Sequence, residues 1–498
     1  MAELLKIQPI IDQYGEAITR QYLLNRFRNP ASIVEFKNLF PNHITIKNAP
    51  FHNEILSAIP KGGKQAYAAP RGFAKSTTVN VIGLFWLSLN SHYRFILLIS
   101  DTYTQAKMHL AALKAELEAN EVLQWLYGDI QGKTWGEDTI IVNGIDGPVM
   151  IMALGAGMKI RGLKFMQFRP QLAVIDDLEN LEVVYSADRR LKLERWFNYD
   201  LIPGLSKEKN VIYIGTILHY HALLKKVVDR QEKYQGWLTK LYKAIENGVS
   251  SWPEAYSLDY LMQIRDNPKH PDYVGSLVFA QEFQNEPQDD KDRIVKIDWI
   301  KDYSFAAKIR SFEGISDVQR RDAFIKSLER VAGVDPAIGE KEQNDFFSMY
   351  GMGFDKADGS EYMLDLIHGK FTIDEQVERI VNFCLDWQIE ILGIESNAYQ
   401  KGLAQLVKPA LQKAGAATRI KEIITDKDKI RRARIHSVAF EGGFVKLRID
   451  HPLYARIRQE LEEFPAGEHD DAFDSLMLAR ECRAQQKARA FTNKPKGF

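Results

Sequence analysis

AYAAPRGFAKSTTVNVIGLFWL, residues 66–87, reads as an apolar strand, a short loop and an apolar helix in that order. Such an order brings loop N–H groups and the positive end of a helix to one point, where they suit a phosphate. Lys75 fits the β/γ oxygens of a nucleotide and Ser76 a Mg²⁺ ion, with Arg71, Gly72, Phe73, Ala74 and Thr77 forming the cradle. The two glycines of the usual phosphate loop are replaced by Ala69 and Ala74, with Gly72 inside the loop instead. Taken alone, the loop does not separate a nucleotide site from a helix N-terminus with an incidental Lys-Ser pair.

LAVIDDLEN, residues 172–180, shifts that balance. Leu172 to Ile175 make a buried strand ending in Asp176 and Asp177, with Glu179 two residues on. Asp176 suits a water-mediated Mg²⁺ contact, and a neighbouring carboxylate would orient the attacking water. An extended chain aims Asp177 and Glu179 the same way, so both stay candidates for the base. Glu179 is favoured because Asp177 is shorter by one methylene. Arg71 suits charge developing on the γ-phosphate, or is a surface cation beside it. NVIYIGTILHYH ends a strand with Gly215-Thr216, suited to sensing that phosphate. Gly155, Gly157 and Gly162 surround Lys159, Arg161 and Lys164, a basic loop that fits DNA, a partner subunit or plain solvent. Pro50, Phe51 and His52 fit an adenine contact or, more simply, an aromatic core turn.

The second half carries different chemistry. VAGVDPAIG (331–339) and ILGIESNAY (391–399) each end an apolar strand in a carboxylate, Asp335 and Glu395. In HDDAFDSLMLA (469–479), Asp471 and Asp474 share a helix face, and Asp470 lies four residues before Asp474. Buried like charges are costly without cations, so the set predicts Mg²⁺ or Mn²⁺ and two-metal phosphodiester cleavage. Asp470 is expected to matter less than Asp471, as a helix cap. Lys427, Lys429, Arg431, Arg432 and Arg434 form a basic run suited to phosphate, with Lys429 and Arg432 the favoured DNA contacts.

Composition sets the outer limits. The 498 residues carry 66 basic and 66 acidic side chains, so a nucleic-acid surface must be a local patch. Two cysteines are too few for a disulfide framework or a structural zinc site. No run approaches a membrane span and the start lacks a signal-peptide pattern, so a cytoplasmic location is expected. The patterning predicts an α/β chain: 1–45 a helical lid or arm, 46–225 an ATPase core with a largely parallel sheet, 226–328 a helical lid subdomain and linker, 329–482 a nuclease domain, and 483–498 a basic flexible tail.

The chain resembles the large terminase subunit of tailed bacteriophages and prophages over Pro50 to Ala479. The resemblance rests on PRGFAKST, IRGLK, LAVIDDLEN, YIGT, VFAQEFQNEP, GVDPA, GIESNAYQKGL, DKDKIRRA and HDDAFDSL. It implies an ASCE-type P-loop ATPase followed by an RNase H-like nuclease, which together package double-stranded DNA and cut concatemers. It implies ATP and Mg²⁺ at Lys75, Ser76 and Asp176, with Asp177 or Glu179 as base, and nuclease ligands Asp335, Glu395, Asp471 and Asp474. The implied partners are the portal of a procapsid, a small terminase subunit and further copies of the chain in a ring, in the host cytoplasm. A helicase–nuclease of repair or phage defence would share both chemistries, but Leu223 to Leu328 is short for a second ATPase lobe.

Overall fold

The computed structural model describes residues 11–40, 43–287, 293–314, 316–336, 346–396, 401–425, 429–465, 467 and 469–492. The chain divides into two compact units, Met1–Asp289 and Asp290–Phe498.

The first unit is built on β1 (Lys64–Ala68), β2 (Phe95–Ser100), β3 (Gln131–Trp135), β4 (Thr139–Gly144), β5 (Gly147–Gly155), β6 (Leu172–Asp176), β7 (Asn210–Gly215) and β8 (Leu238–Leu241). Their order is β3-β4-β5-β2-β6-β7-β1-β8, parallel from β5 through β8, with β3 and β4 antiparallel at one edge. The central strands are apolar at every position because both faces are covered. Ile96, Leu98, Leu172, Val174, Ile212 and Ile214 enter one core; Phe95, Leu97, Ala173, Ile175, Val211 and Tyr213 enter the other. Each fully buried Leu or Ile stabilises by about 1.5–3 kcal/mol, which fixes the register and the places where β1, β6 and β7 end.

Two boundaries differ from the sequence reading. The segment expected as an N-terminal lid or arm packs into the first unit: Phe27, Ile33, Phe36 and Phe40 are buried there, and Trp86 Nε1 donates to Phe27 O (2.9 Å). Its expected apolar face is only half used, since Tyr14 and Tyr22 are exposed; Leu4, Ile7 and Ile10 lie outside the described residues. Residues 226–328 are not one subdomain. β8 adds a strand to the first sheet beside β1, and the chain passes to the second unit at Asp289–Asp290. A short hairpin, β9 (Ile245–Glu246) with β10 (Val249–Ser250), follows β8.

The second unit carries β11 (Lys301–Tyr303), β12 (Glu329–Asp335), β13 (Phe347–Phe354), β14 (Glu361–Gly369), β15 (Ile391–Glu395), β16 (Arg419–Ile423) and β17 (Val445–Arg448). The order is β11-β17-β14-β13-β12-β15-β16, with β12–β13–β14 an antiparallel meander and β12–β15–β16 parallel. Helices Ile373–Asp386 and Lys401–Lys413 bury Ile380, Phe383, Val407 and Leu411 on one face. The helix Asp471–Thr492 crosses the other face, against β12, β13 and β15. Its approach is very close. A Cβ at Gly333 would stand 2.2 Å from Ser475 O, and one at Gly393, the register partner of Gly333, 3.0 Å from Cys482 Cβ. The helix runs through most of the segment expected to be a flexible tail; residues 493–498 lie outside the described residues. Among the described residues no helix is long and apolar enough to cross a membrane.

Candidate active sites

The phosphate-loop candidate follows the C-terminal end of β1, where parallel α/β sheets place ligands. The loop turns back on itself with φ +77° at Gly72 and +52° at Ala74, and the helix continues as a wide π-type turn over Thr77–Gly83. An alanine in the left-handed region is strained, which explains why a glycine is usual before the lysine. Ala74→Gly is therefore expected to stabilise the first unit by about 0.5–1 kcal/mol, the relief of strain being offset in part by the freer unfolded chain. A urea midpoint that stays put or falls would show that the loop carries no such strain.

Lys75 is buried, and its Nζ donates to Thr216 Oγ1 (3.0 Å) and lies 3.6 Å from Asp177 Oδ2. Thr216 Oγ1 in turn donates to Ala69 O (3.1 Å), so the end of β7 is tied to the loop. Asp176 is 1% exposed, and its Oδ2 accepts from Asn80 Nδ2 (2.6 Å) with His109 Nε2 at 3.5 Å. Burial, then the neighbouring Asp177 charge, pushes its carboxyl up to about 6, while Ser76 beside it pulls the other way. Asn80 and His109 were not singled out in the sequence. Asn80 had a signal, lying one helical turn beyond Ser76.

The two candidate bases separate sharply. Asp177 has a half-exposed side chain and a positive φ of 42°, and faces Lys75. Strain of this kind collects at functional positions. Glu179 is buried, and its oxygens accept from Leu223 N (2.6 Å), Leu224 N (2.8 Å) and Tyr213 Oη (3.1 Å). It therefore caps the helix Leu223–Val228, contrary to its favoured place as base. Each N–H at a helix start needs an acceptor, and Glu179 supplies two of them.

Other assignments resolve around these groups. Arg71 points to Glu282, its Nη1 lying 3.0 and 2.9 Å from the two carboxylate oxygens. His52 is buried and neutral in form: Ala49 N donates to its Nδ1, and its Nε2 donates to Phe73 O. It packs with Phe51 as an aromatic core turn. Lys159 is exposed, whereas Arg161 lies 3.2 Å from Asp200 and also donates to Tyr199 O.

In the second unit Asp335 ends β12 and Glu395 ends the adjacent parallel strand β15, as the sequence suggested. Burial and the charges of Asp474 and Glu395 hold the Asp335 carboxyl well above the usual range. Thr425 Oγ1 donates to Glu395 Oε1. Asp474 is 9% exposed, and burial pushes it up to about 6 against the pull of Lys429. Lys429 Nζ bridges Asp474 Oδ2 and Asp470 Oδ2 (2.6 Å to the latter).

Three expectations change here. Asp470, at the residue before the helix, turns its side chain to the same lysine as Asp474. Asp471, the expected metal ligand, instead feels Asp470, Lys429, Arg456 and His469 most strongly, with Arg456 at 4.0 Å. The reason is backbone geometry: a residue preceding the first helical turn does not obey helical spacing. Lys429 and Arg432, expected on DNA, turn inward. Arg432 is 12% exposed at its side chain and pairs with Glu481 (2.8 Å), close to Asp474. Lys427 lies outside the described residues.

Two buried oxygens, Asp176 Oδ1 and Asp474 Oδ1, lack hydrogen-bond partners among the described residues. Such orphans in all-oxygen sets fit Mg²⁺ or Mn²⁺. The second-unit carboxylates are electrostatic neighbours, not a closed cage: among the described residues no three His, Cys, Asp or Glu side chains are already grouped to hold an ion. Lys429 supplies the positive charge beside Asp474.

The two raised carboxyls make stability depend on pH. With a folded value of about 6 against an ordinary 3.8, each contribution is complete below the unfolded value and is lost as pH rises through the folded one. Protein kept in chelator is expected to melt at lower temperature as pH rises from about 4 to about 6, and Mg²⁺ should restore more above that window than below it. Asp474→Asn should flatten part of that slope. An unchanged slope in the variant would contradict the assignment.

A P-loop-type parallel α/β unit and an RNase H-like unit thus stand in sequence in one chain. The same pairing occurs in the large terminase of a thermophilic bacteriophage. The crystal structure of that protein in complex with ATP-gamma-S matches at TM-score 0.51, and a second crystal form at 0.50. Both align with 87% of this chain and 98% of the phage protein, at 10% identity. At that identity the likeness establishes the fold. No family model and no curated protein matches the sequence.

Proposed function

We propose that this chain is the large subunit of a phage terminase, a motor that hydrolyses ATP to drive double-stranded DNA into a procapsid and a metal-dependent endonuclease that cuts the concatemer. The observation that carries this is the pairing, on a terminase fold, of the Lys75–Thr216–Asp176 set in one unit with Asp335, Glu395 and Asp474 in the other.

At the first site, the backbone of residues 71–77 cradles the phosphates, Lys75 meets the β/γ oxygens, and Ser76 and Asp176 hold Mg²⁺. Asp177 takes the base role, being the exposed carboxylate beside Lys75. Arg71 meets the γ-phosphate. When bound, the cation offsets negative charge on the phosphates. At the second site Asp335, Glu395 and Asp474 are the ligands, with Asp470 before Asp471 as the supporting acid. The cations there would activate water and stabilise the leaving oxygen. Lys159 and the neighbouring basic loop are the DNA contact. Portal, small terminase subunit and ring partners follow from the same reading, as does action in the host cytoplasm on a procapsid.

The test is purified protein with plasmid, ATP, and Mg²⁺ or Mn²⁺. ATP turnover and divalent-dependent cutting are both expected. Turnover with no cutting under any divalent ion would remove the nuclease half of the proposal.

A further inference from the structure

The segment Gln281–Asn285 touches the nucleotide site at three places with three side chains. Glu282 accepts Arg71 Nη1 on both oxygens, and its carbonyl accepts Arg71 N (2.9 Å). Asn285 is 1% exposed; its Oδ1 accepts Ile217 N (2.8 Å) and its Nδ2 donates to Tyr242 O (2.9 Å). Gln281 Nε2 donates to Leu218 O (2.6 Å). Ile217 and Leu218 directly follow Thr216, the residue that receives Lys75. One short segment therefore holds both the phosphate loop and the turn that follows β7.

The geometry points to Glu282 as the resting partner of Arg71, a positioning residue that the guanidinium must leave to reach a γ-phosphate. The inference rests on the reading of residues 69–76 as a nucleoside triphosphate site. Arg71 is 70% exposed at its side chain while Glu282 is 15% exposed, so the arginine is the member of the pair free to swing. A triphosphate offers three oxygens and more charge than one carboxylate, whereas a diphosphate leaves the γ position empty and Arg71 on Glu282. The exchange makes Glu282 a discriminator: it penalises triphosphate binding, which needs Arg71, and leaves diphosphate binding alone. Because Glu282 shares its segment with Gln281 and Asn285, loss of Arg71 from Glu282 is also felt where Thr216 meets Lys75.

The experiment measures ATP-gamma-S and ADP affinity for the full chain, its Glu282→Gln, Arg71→Ala and double variants, and Lys75→Ala. Glutamine keeps the size of the side chain and the backbone contact to Arg71, so folding is preserved; matching ADP affinity confirms it. Glu282→Gln should tighten ATP-gamma-S about threefold relative to ADP, the scale of one half-exposed ion pair. In the Arg71→Ala background the same change should have no effect, because the arginine is no longer there to be released. Equal changes for both nucleotides, or a gain that persists without Arg71, would overturn the role given to Glu282. If Lys75→Ala binds both nucleotides as tightly as the parent, the nucleotide-site reading itself falls and this inference with it.

Discussion

Asp335→Asn and Asp474→Asn should each lose metal-dependent plasmid cleavage by about 100-fold or more, while ATP turnover stays unchanged, since removing a group from a metal set commonly costs at least that much. The physical basis is the mutual burial of Asp335, Glu395 and Asp474, whose charges raise one another's proton affinity. Asparagine keeps the shape but removes the charge that a cation would neutralise. The ranking along the last helix is the sharper part. Asp470→Asn should impair cutting more than Asp471→Asn, because Asp470 and Asp474 grip the same Lys429 amine while Asp471 turns toward Arg456. Cleavage over a Mn²⁺ titration, with ATP turnover as the control for folding, decides it. A dead Asp471→Asn beside an active Asp470→Asn would invert the assignment.

In the other unit, Asp177→Asn should cut the ATPase kcat by about 10²–10⁴, the usual worth of a general base, with ATP affinity kept. Glu179→Gln should act on folding instead. One glutamine oxygen cannot replace two that accept from Leu223 N, Leu224 N and Tyr213 Oη, and leaving a buried donor unpaired costs about 1–3 kcal/mol. A lowered unfolding midpoint with substantial turnover is the expected result for Glu179→Gln. Full stability with abolished turnover in that variant, alongside an active Asp177→Asn, would restore Glu179 as the base.

These contrasts mark where the sequence was legible. β2, β6 and β7 were readable because strands covered on both faces are uniformly apolar, and a carboxylate closing such a strand stands out. The helical spacing within 471–478 located Asp474 for the same kind of reason: one face is buried, so its acids are conspicuous. β8, whose LTKL alternates between exposed and half-buried positions at a sheet edge, gave no such contrast. The role of Glu179 depends on the start of a helix at Leu223, and that of Arg71 on Glu282, far along the chain. Local pattern carries no information on such pairings. Arg432 looked like a DNA contact because charge on a helix usually faces water, and only the packing against Glu481 reverses that.

The paired glycines under the last helix explain which acids the second site can use. With no side chain at Gly333 or Gly393, the helix backbone rests almost on the sheet, two residues before Asp335 and Glu395 respectively. At that separation a one-carbon stem suffices for Asp474 to come near Asp335. A longer acid on the helix would overshoot, and a methyl group on the strand would lift the whole lever. The site is thus dimensioned by missing atoms: the reach of its acids is matched to a gap that the two glycines set, and a change in one calls for a change in the other.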